Sequence, residues 1–250
     1  MKVLITGASS GIGKEMAIYL SELGHELILV ANDKEALEEM RYNLKTKSKL
    51  IVIDLASESK IKDLYMLAKN ENIDMLINNA GFGACGDYDE VDLQKELDMI
   101  DVNLKAVHIL TKMFLKDMEK RGNGYILNVS SLAGLLKGGP KMSCYYATKS
   151  YVTNYTLGIY QELKRRGSNI QISLLCPGPI KTNFLSLAKV KFKQKGLSPR
   201  YVAIYAIDNL LKGKTIIIPG FKNKMMAFFQ RFFPTKFVLK VTDNFQDKDK

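Results

Sequence analysis

The sequence predicts an α/β fold in which a doubly wound, seven-stranded parallel sheet carries helices on both faces. Three observations support this prediction. Short runs rich in Val, Ile and Leu alternate with longer stretches of helical periodicity. The short runs are apolar throughout, which is typical of strands buried on both faces of a parallel sheet. A glycine-rich turn joins the first short run to the first helical stretch, as in many folds that bind phosphate groups.

The first part of the chain predicts the order βαβαβαβ. Its strands are Lys2–Thr6, Glu26–Val30, Lys49–Asp54 and Met75–Asn78, and its helical stretches are Met16–Leu23, Glu35–Leu44 and Ile61–Asn70. Three more strands are predicted at Gly124–Ser130, Ile170–Cys176 and Thr215–Ile218, with helices near Leu93–Arg121, Tyr146–Arg166 and Pro199–Lys212. Helices between successive strands indicate parallel pairing.

Length and charge indicate one soluble domain, residues 1–220, followed by a basic extension, residues 221–250. The 37 Lys and Arg residues against 26 Asp and Glu give a net charge of +11. This charge favours an anionic partner such as a nucleotide, an acyl carrier or a lipid surface. No zinc-finger, RNA-binding or basic-zipper pattern accompanies the charge, so a nucleic-acid partner is not expected.

Cysteine spacing and the N-terminal sequence indicate a cytoplasmic protein. Cys85, Cys144 and Cys176 are far apart and match neither a metal site nor a disulfide framework, so no metal is expected. The chain begins directly with a strand and contains no long apolar run. Neither a secretion signal nor a membrane-spanning helix is therefore expected.

Residues 6–13, which read TGASSGIG, form the turn between the first strand and the first helix. A nucleotide phosphate can approach the backbone of such a turn, and the following helix directs its N-terminal N–H groups at it. The candidate phosphate-binding residues are Gly7, Ser9, Ser10, Gly11, Ile12 and Gly13. Taken alone, three glycines are also consistent with a turn that binds nothing.

With this turn and the motifs that follow it, the chain resembles the short-chain dehydrogenase/reductase family over essentially residues 1–220. The resemblance implies a Rossmann-type fold. Asp54 and Leu55 end the third strand, where the resemblance implies a contact with adenine. Asn79, Ala80 and Gly81 follow the fourth strand, where it implies support for the sheet and a border to the adenine ribose. An ordinary turn could explain the second motif alone, but the order and spacing of the motifs favour the family.

The end of the second strand determines which nucleotide is expected, because an acid there binds the ribose 2′-hydroxyl and repels a 2′-phosphate. That position is Ala31, which favours NADP(H) over NAD(H), with Lys14 and Lys34 as phosphate partners. Asn32 is a further cofactor-binding candidate, but it weakens the preference for NADP(H), because many NADP(H)-using relatives carry Arg there. Asp33 keeps NAD(H) open if the strand ends one residue later.

Carbonyl reduction needs a hydride, a proton for the oxygen and a group that polarises that oxygen. Tyr145 and Lys149 are one helical turn apart and share a face, so the cation can lower the pKa of the phenol. The resemblance makes Tyr145 the proton donor and implies that this pair also binds the nicotinamide ribose. Tyr146 has no cation four residues later and is interpreted as packing. The resemblance implies that Ser131 donates to the substrate oxygen, whereas Ser130 serves the turn.

Two further matches complete the predicted site. Asn103 matches a helix asparagine whose backbone carbonyl holds a water in the family's proton relay. Pro177, Gly178, Ile180 and Thr182 match a segment that, by the resemblance, holds the nicotinamide carboxamide and selects the exposed face of the ring.

The sequence therefore predicts an NAD(P)(H)-dependent oxidoreductase that reduces a carbonyl or oxidises a secondary alcohol. The expected substrate is a hydrophobic ketone, ketoacyl, steroid or lipid compound. The alternative is a regulator or scaffold that binds the nucleotide without turnover, although such a protein would usually have lost Tyr145 or Lys149. An epimerase or dehydratase of nucleotide sugars would need a longer chain with a substrate domain. The resemblance also implies a homodimer or homotetramer.

Two segments bear on the substrate and on location. Residues Phe184–Lys195 mix apolar and basic side chains, which fits a solvated loop or a site for an apolar substrate on an anionic carrier. In the extension, one apolar helical face is formed by Met225, Phe228, Phe229, Phe232 and Phe233, with Lys222, Lys224 and Arg231 beside it. This face predicts either packing on its own domain or a sister subunit, or peripheral contact with a membrane.

Overall fold

The computed structural model describes residues 1–182, 188, 190–192 and 196–248. The strands are β1 (Lys2–Thr6), β2 (Glu26–Ala31), β3 (Ser48–Val52), β4 (Met75–Asn78), β5 (Gly124–Val129), β6 (Ile170–Leu175), β7 (Val190–Phe192), β8 (Ile216–Ile217) and β9 (Gln246–Lys248). The α-helices are α1 (Gly11–Glu22), α2 (Lys34–Arg41), α3 (Glu58–Ala68), α4 (Leu93–Ile100), α5 (Val107–Arg121), α6 (Ser143–Arg165), α7 (Pro199–Leu211), α8 (Phe221–Phe229) and α9 (Thr235–Phe245).

The main sheet has seven parallel strands in the order β3-β2-β1-β4-β5-β6-β8, as the sequence predicts. The order reverses between β1 and β4, because the chain first builds outward to β3 and then returns to the other side of β1. In doubly wound sheets this reversal opens a crevice at the carboxyl ends of the strands, where ligands bind.

Helices cover both faces of the sheet, which explains why the strands are apolar throughout. Val3 and Ile5 on β1 belong to a core shared with α1, α2 and α7. Leu4, between them, belongs to the opposite core with α3, α5 and α6. Successive side chains of a strand point to opposite faces, so both must be apolar when both faces are covered.

The single helix predicted near Leu93–Arg121 is instead interrupted. A π-helical turn, Asp101–Ala106, separates α4 from α5. In such a turn the N–H groups bond five residues back rather than four, which widens the helix locally and re-aims its side chains. The fully buried Asn103 lies in this turn. π-Turns are frequent at functional sites, and this one positions a residue of the predicted site.

The C-terminal segment forms two helices, α8 and α9, on either side of Pro234. After α8 a 3-10 turn covers Gln230–Phe232, and Pro234 precedes α9. Proline cannot continue the hydrogen-bond ladder of a preceding helix. The aromatic face does not pack on its own domain, because Phe228, Phe229 and Phe232 are exposed.

Two smaller features complete the architecture. The backbones of β7 and β9 pair antiparallel, which joins the chain near residue 191 to its C-terminal end. Among the described helices, none combines the length and the apolarity that crossing a bilayer requires.

Candidate active site

A cavity of about 280 Å³ lies at the crevice between β1 and β4 and extends past the carboxyl ends of β5 and β6. It is lined by the predicted site residues Gly7, Ser10, Gly11, Ile12, Asn79, Ala80, Gly81, Ser131, Tyr145, Lys149, Pro177, Gly178, Ile180 and Thr182. The predicted residues that do not line it are Ser9, Gly13, Asn32, Asp54, Leu55 and Asn103. One continuous space therefore joins the glycine-rich turn to Ser131, Tyr145 and Lys149, the side chains for which catalysis is predicted.

The glycine-rich turn approaches β4 so closely that no side chain fits between them. Gly7 adopts φ +64°, and a Cβ there would lie 2.8 Å from the Cα of Ala80. Asn79 donates from its side-chain amide to the carbonyls of Thr6 and Gly7 at 3.1 and 3.0 Å. The hydroxyl of Thr6 in turn accepts from the backbone N–H of Asn79 at 3.0 Å and of Ala80 at 3.1 Å. Thr6 is a structural residue of the site that the sequence analysis did not single out.

The start of α1 presents backbone rather than side chains to the cavity. Ser10 is its N-cap and makes no side-chain capping bond, so the hydroxyl does not cover the first N–H groups. Gly11 adopts φ +56°, and a Cβ there would lie 3.5 Å from the Cγ2 of Thr182, which also lines the cavity. Gly13 acts differently, since a Cβ there would lie 2.2 Å from the carbonyl oxygen of Gly7, and it permits packing of α1 on the turn. The turn and the helix start fit a nucleotide phosphate.

The residues that were predicted to select the nucleotide lie at or just beyond the end of β2. The strand ends at Ala31, which is buried, and Asn32 is exposed beyond it. The carboxylate of Asp33 caps α2 by accepting from the backbone N–H of Ala36 at 2.9 Å. Lys34 is exposed and lies 3.8 Å from Glu38. The acid nearest to the end of β2 is thus engaged in a helix cap.

The two residues predicted to contact adenine, Asp54 and Leu55, lie beyond the end of β3. β3 ends at Val52 rather than at Asp54, and Asp54 is exposed and accepts from the backbone N–H of Ala56 at 3.0 Å. Leu55 is buried and belongs to the core that contains α3. Neither residue lines the cavity, so a contact of this pair with adenine remains a prediction.

Two adjacent serines at the end of β5 have different surroundings. Ser130 is buried and donates to the carbonyl of Lys149 at 2.9 Å, and its hydroxyl also lies 2.9 Å from that of Thr153. It therefore ties α6 to the sheet rather than serving the turn. Ser131 faces the cavity, accepts from the backbone N–H of Ala133 at 3.2 Å and forms a side-chain hydrogen bond with Tyr145. Ser131 is the serine that can reach a substrate.

The phenol and the ammonium of α6 lie together at the floor of the cavity. The Nζ of Lys149 lies 5.9 Å from the centre of the Tyr145 ring and donates to the carbonyl of Val129 at 3.0 Å. Burial raises the pKa of Tyr145 to about 12, against the opposite effect of the Ser131 hydrogen bond. Burial also lowers the pKa of Lys149 to about 8 and raises that of the adjacent Cys176 thiol to about 12. Both Tyr145 and Lys149 are thus in surroundings that disfavour their charged forms. The predicted lowering of the Tyr145 pKa by Lys149 is therefore not observed, because burial dominates.

Asn103 lies behind the cavity, where it supports the wall. Its amide accepts from the backbone N–H of Phe82 at 3.0 Å and donates to the carbonyl of Phe82 at 2.8 Å. It also donates to the hydroxyl of Thr148 on α6 at 3.2 Å. A Cβ at Gly81 would lie 2.9 Å from Asn103 and 3.2 Å from the Nζ of Lys149. Asn103 therefore joins the loop after β4 to α6, and Gly81 leaves room for the lysine.

A buried ladder of polar side chains holds β4 and β5 beneath the site. Asn78 donates to the side-chain carbonyl of Asn128 at 2.8 Å, and Thr111 donates to the same oxygen at 3.2 Å. Asn128 donates to the hydroxyl of Thr156 on α6 at 3.0 Å. This ladder was not predicted from the sequence. The signal that could have found it is an asparagine at the end of two successive apolar runs.

The other end of the cavity, where the substrate is expected and which we call the substrate end, is lined mainly by segments from the C-terminal half of the chain. Pro177, Ile180 and Thr182 line it after β6, and Gly178 packs so closely on α8 that a Cβ would lie 2.6 Å from Asn223. The other lining side chains at this end are Phe82, Leu136, Met142, Tyr146, Met226 and Thr242. Tyr146 therefore lines the cavity besides packing over Gly139. Much of the predicted substrate segment, Phe184–Lys195, lies outside the described residues.

No group of three or more His, Cys, Asp or Glu side chains in the described ranges is placed to hold a metal ion. Cys144 and Cys176 are free cysteines.

Comparison with known proteins yields a family match and several relatives. A family model described as short chain dehydrogenase matches residues 1–191. A 3-oxoacyl-[acyl-carrier-protein] reductase of Rickettsia prowazekii is 34% identical over 196 residues, which cover 77% of each chain. A very-long-chain 3-oxoacyl-CoA reductase of Anas platyrhynchos is 32% identical over 200 residues, 76% of this chain and 62% of the relative.

Solved structures agree with the observed fold. A short-chain dehydrogenase from Sphingobium yanoikuyae in complex with NADPH superimposes with a TM-score of 0.82 at 26% identity. The superposition covers 92% of this chain and 93% of that one.

Proposed function

The chain belongs to the short-chain dehydrogenase/reductase family of oxidoreductases, and from this premise we propose that it reduces a hydrophobic carbonyl compound, or oxidises the corresponding secondary alcohol, with NADP(H). One observation carries the proposal: Ser131, Tyr145 and Lys149 line the same cavity as the glycine-rich turn. A cofactor held at the turn and a substrate at the serine and tyrosine would then share one space.

The cavity fits a nicotinamide nucleotide on structural grounds. The close approach at Gly7 and the uncapped start of α1 would hold the phosphates, and Thr182 with Ile180 would hold the nicotinamide end. When bound, the nucleotide supplies or accepts the hydride. Asn79 shapes the turn from behind, and Gly13 allows α1 to pack on it.

In this proposal the chain's own residues handle the proton. Tyr145, whose pKa burial raises to about 12, holds its proton at neutral pH and can deliver it to a substrate oxygen during reduction. Ser131, which already hydrogen-bonds Tyr145, would donate to the same oxygen and stabilise the charge that develops there. Lys149 would place its charge beside the phenol and favour phenolate when the proton leaves.

The proposed preference for NADP(H) rests on the end of β2. Ala31 carries no carboxylate, and the Oδ1 of Asp33, the next acid along the chain, accepts from the backbone of α2. Lys14 and Lys34 remain the proposed partners of a 2′-phosphate. The structure of the Sphingobium relative in complex with NADPH supports a nicotinamide cofactor of this class.

The proposed substrate class follows from the lining of the distal end. Leu136, Met142 and Met226 face the space next to Tyr145, so an apolar group beside the carbonyl would be accommodated. Two of the relatives named above are reductases of 3-oxoacyl compounds, which supports a ketoacyl or similar ketone substrate. The net charge of +11 is compatible with an anionic carrier on the substrate. We also propose that the protein is a cytoplasmic homodimer or homotetramer. Residues 1–220 would form the catalytic domain and residues 221–250 an extension.

A substrate panel tests the proposal. The protein is mixed with NADPH or NADH and with soluble ketones, 3-oxoacyl thioesters and steroid ketones, and loss of absorbance of the reduced nicotinamide is followed. We expect turnover of at least one carbonyl class and faster turnover with NADPH. If both nucleotides bind and no carbonyl or alcohol is converted, the alternative of a regulator or scaffold that binds nucleotide without turnover replaces this proposal.

A further inference from the structure

The helix α8 packs on the protein with the side that is less apolar. Its buried or half-buried residues are Asn223, Met226 and Ala227, and Gln230 follows on the same side. At about 100° per residue these positions cluster around one direction. Asn223 donates to the carbonyl of Pro219 at 2.7 Å, and Gln230 donates to the carbonyl of Leu135 at 3.0 Å. Polar anchors thus fix the orientation of α8.

The opposite side of α8 and the chain after it expose phenylalanine. The phenylalanine face comprises Phe221, Phe228, Phe229, Phe232, Phe233 and Phe237, which are between 45% and 74% exposed. Its rings contact one another, with centroids 5.5 Å apart for Phe228 and Phe232 and 5.1 Å for Phe233 and Phe237. An ordinary surface helix turns its apolar side inward, so this orientation is the reverse of the usual one. Large exposed apolar patches mark surfaces that bind something.

Basic side chains surround the phenylalanine face. Lys222 and Lys224 lie on α8 roughly 80° to either side of its apolar centre. The exposed basic residues of the segment are Lys222, Lys224, Arg231, Lys236 and Lys240. Residues 221–242 contain neither Asp nor Glu. Apolar rings flanked by cations are the pattern of helices that lie in the interface of an anionic bilayer.

We propose that the phenylalanine face docks this protein on an anionic lipid bilayer. The rings would enter the boundary between headgroups and acyl chains, while the flanking cations contact lipid phosphates. The positive charge around the phenylalanine face favours an anionic lipid surface, rather than a second copy of the chain, as its binding partner. A two-fold contact places the same surface against itself, which would bring the five cations of one copy against those of the other.

The docked orientation would bring the substrate end of the cavity to the membrane. Met226, on the inward side of α8, and Thr242, on α9, both line that end. The loop after β5 is tied to the same segment, because Lys137 donates to the carbonyl of Phe233 at 2.8 Å. This part of the inference rests on the proposed function: the substrate would be a carbonyl compound dissolved in the bilayer.

Vesicle co-sedimentation of the full-length protein tests the docking without nucleotide or turnover. The vesicles consist of phosphatidylcholine alone or of phosphatidylcholine with phosphatidylglycerol. We expect binding to the mixed vesicles, at least tenfold weaker binding to phosphatidylcholine alone, and release at high salt. The variant Phe228→Ser/Phe232→Ser should lose at least tenfold in binding. The matched control is Tyr88→Ser, which removes a 96% exposed aromatic ring that is not part of the phenylalanine face.

Folding and oligomeric state are measured on the same samples. Unchanged melting temperature and unchanged reduction of a short soluble ketone would show that the double variant remains intact. If the wild-type protein ignores mixed vesicles and the double variant changes from oligomer to monomer in sedimentation equilibrium, the face is a subunit interface and the proposal is overturned. If vesicles bind but no carbonyl is reduced, the proposed function fails while the docking stands.

Discussion

The two ends of the cavity are constructed in different ways. At the catalytic end the important side chains are buried and bound to the backbone of neighbouring elements, as Lys149 is to Val129 and Asn103 to Phe82. At the substrate end the lining includes Met226 and Thr242, which come from helices with exposed outer sides. The catalytic end is therefore held in place from several directions, whereas the substrate end is covered by a peripheral segment. Substitutions at the catalytic end should therefore lower kcat, whereas substitutions at the substrate end should change KM and the choice of substrate.

The largest expected effect is at Tyr145. Tyr145→Phe removes the proposed proton donor while leaving the ring in place, so turnover should fall about 10²–10⁴-fold with nucleotide binding nearly unchanged. Steady-state rates and fluorescence titration with NADPH measure the two quantities. Tyr146→Phe is the matched control, because Tyr146 also lines the cavity and should lose little activity. Equal losses in both variants would remove Tyr145 from its assigned role.

The adjacent serines allow chemistry and structure to be separated. Ser131→Ala should lower kcat about 10²–10³-fold with little effect on unfolding, because it removes a proposed donor to the substrate oxygen. Ser130→Ala should lower the free energy of unfolding by about 1–3 kcal/mol, because it leaves the buried carbonyl of Lys149 without this donor. Kinetics and urea denaturation are measured on both. The reversed pattern would show that Ser130 is the reacting serine.

Lys149 should reduce the stability of the fold at neutral pH. Its pKa is lowered by burial from 10.5 to about 8, so below about pH 8 the buried ammonium destabilises the folded state. Between about pH 8 and 10.5 the unfolded chain binds more protons than the folded chain, so stability rises with pH. At pH 7 the free energy of unfolding of Lys149→Met, measured by urea denaturation, should therefore exceed that of the wild type by up to about 3 kcal/mol. This difference between variant and wild type should be smaller at pH 9.5. A constant difference between pH 7 and 9.5 would contradict the lowered pKa, and activity should be lost throughout.

The smallest effect is expected at the substrate end. Thr242→Val keeps the shape of the side chain but removes its hydroxyl, which donates to Leu239 at 2.9 Å within α9. KM should change by roughly fivefold, about 1 kcal/mol, with kcat retained, and the direction should depend on whether the substrate is polar at this position. A loss of kcat would instead place Thr242 with the catalytic end.

The sequence predicts which residues meet at the Tyr145 end of the cavity, because those residues have short, ordered spacings. Tyr145 and Lys149 lie on one helical face, and Gly7 occurs where the backbone needs a positive φ. The π-turn around Asn103 was not predicted, because hydrophobic periodicity over Leu93–Arg121 reads as one helix. Met226 and Thr242 were missed as cavity residues because no local pattern reports how a C-terminal segment folds back over a sheet.

The ladder of Asn78, Asn128, Thr111 and Thr156 affects the register in which β4 and β5 pair. β4 and β5 are apolar on both faces, so hydrophobicity alone barely distinguishes the native pairing from one shifted along the strand. In the native pairing Asn78 lies directly opposite Asn128, and their amides meet. A shift by one residue would turn an amide toward apolar neighbours without its partner, which costs about 1–3 kcal/mol. The ladder therefore favours the native register of β4 and β5, and this register sets the position of Ser131, three residues after Asn128, beyond the end of β5.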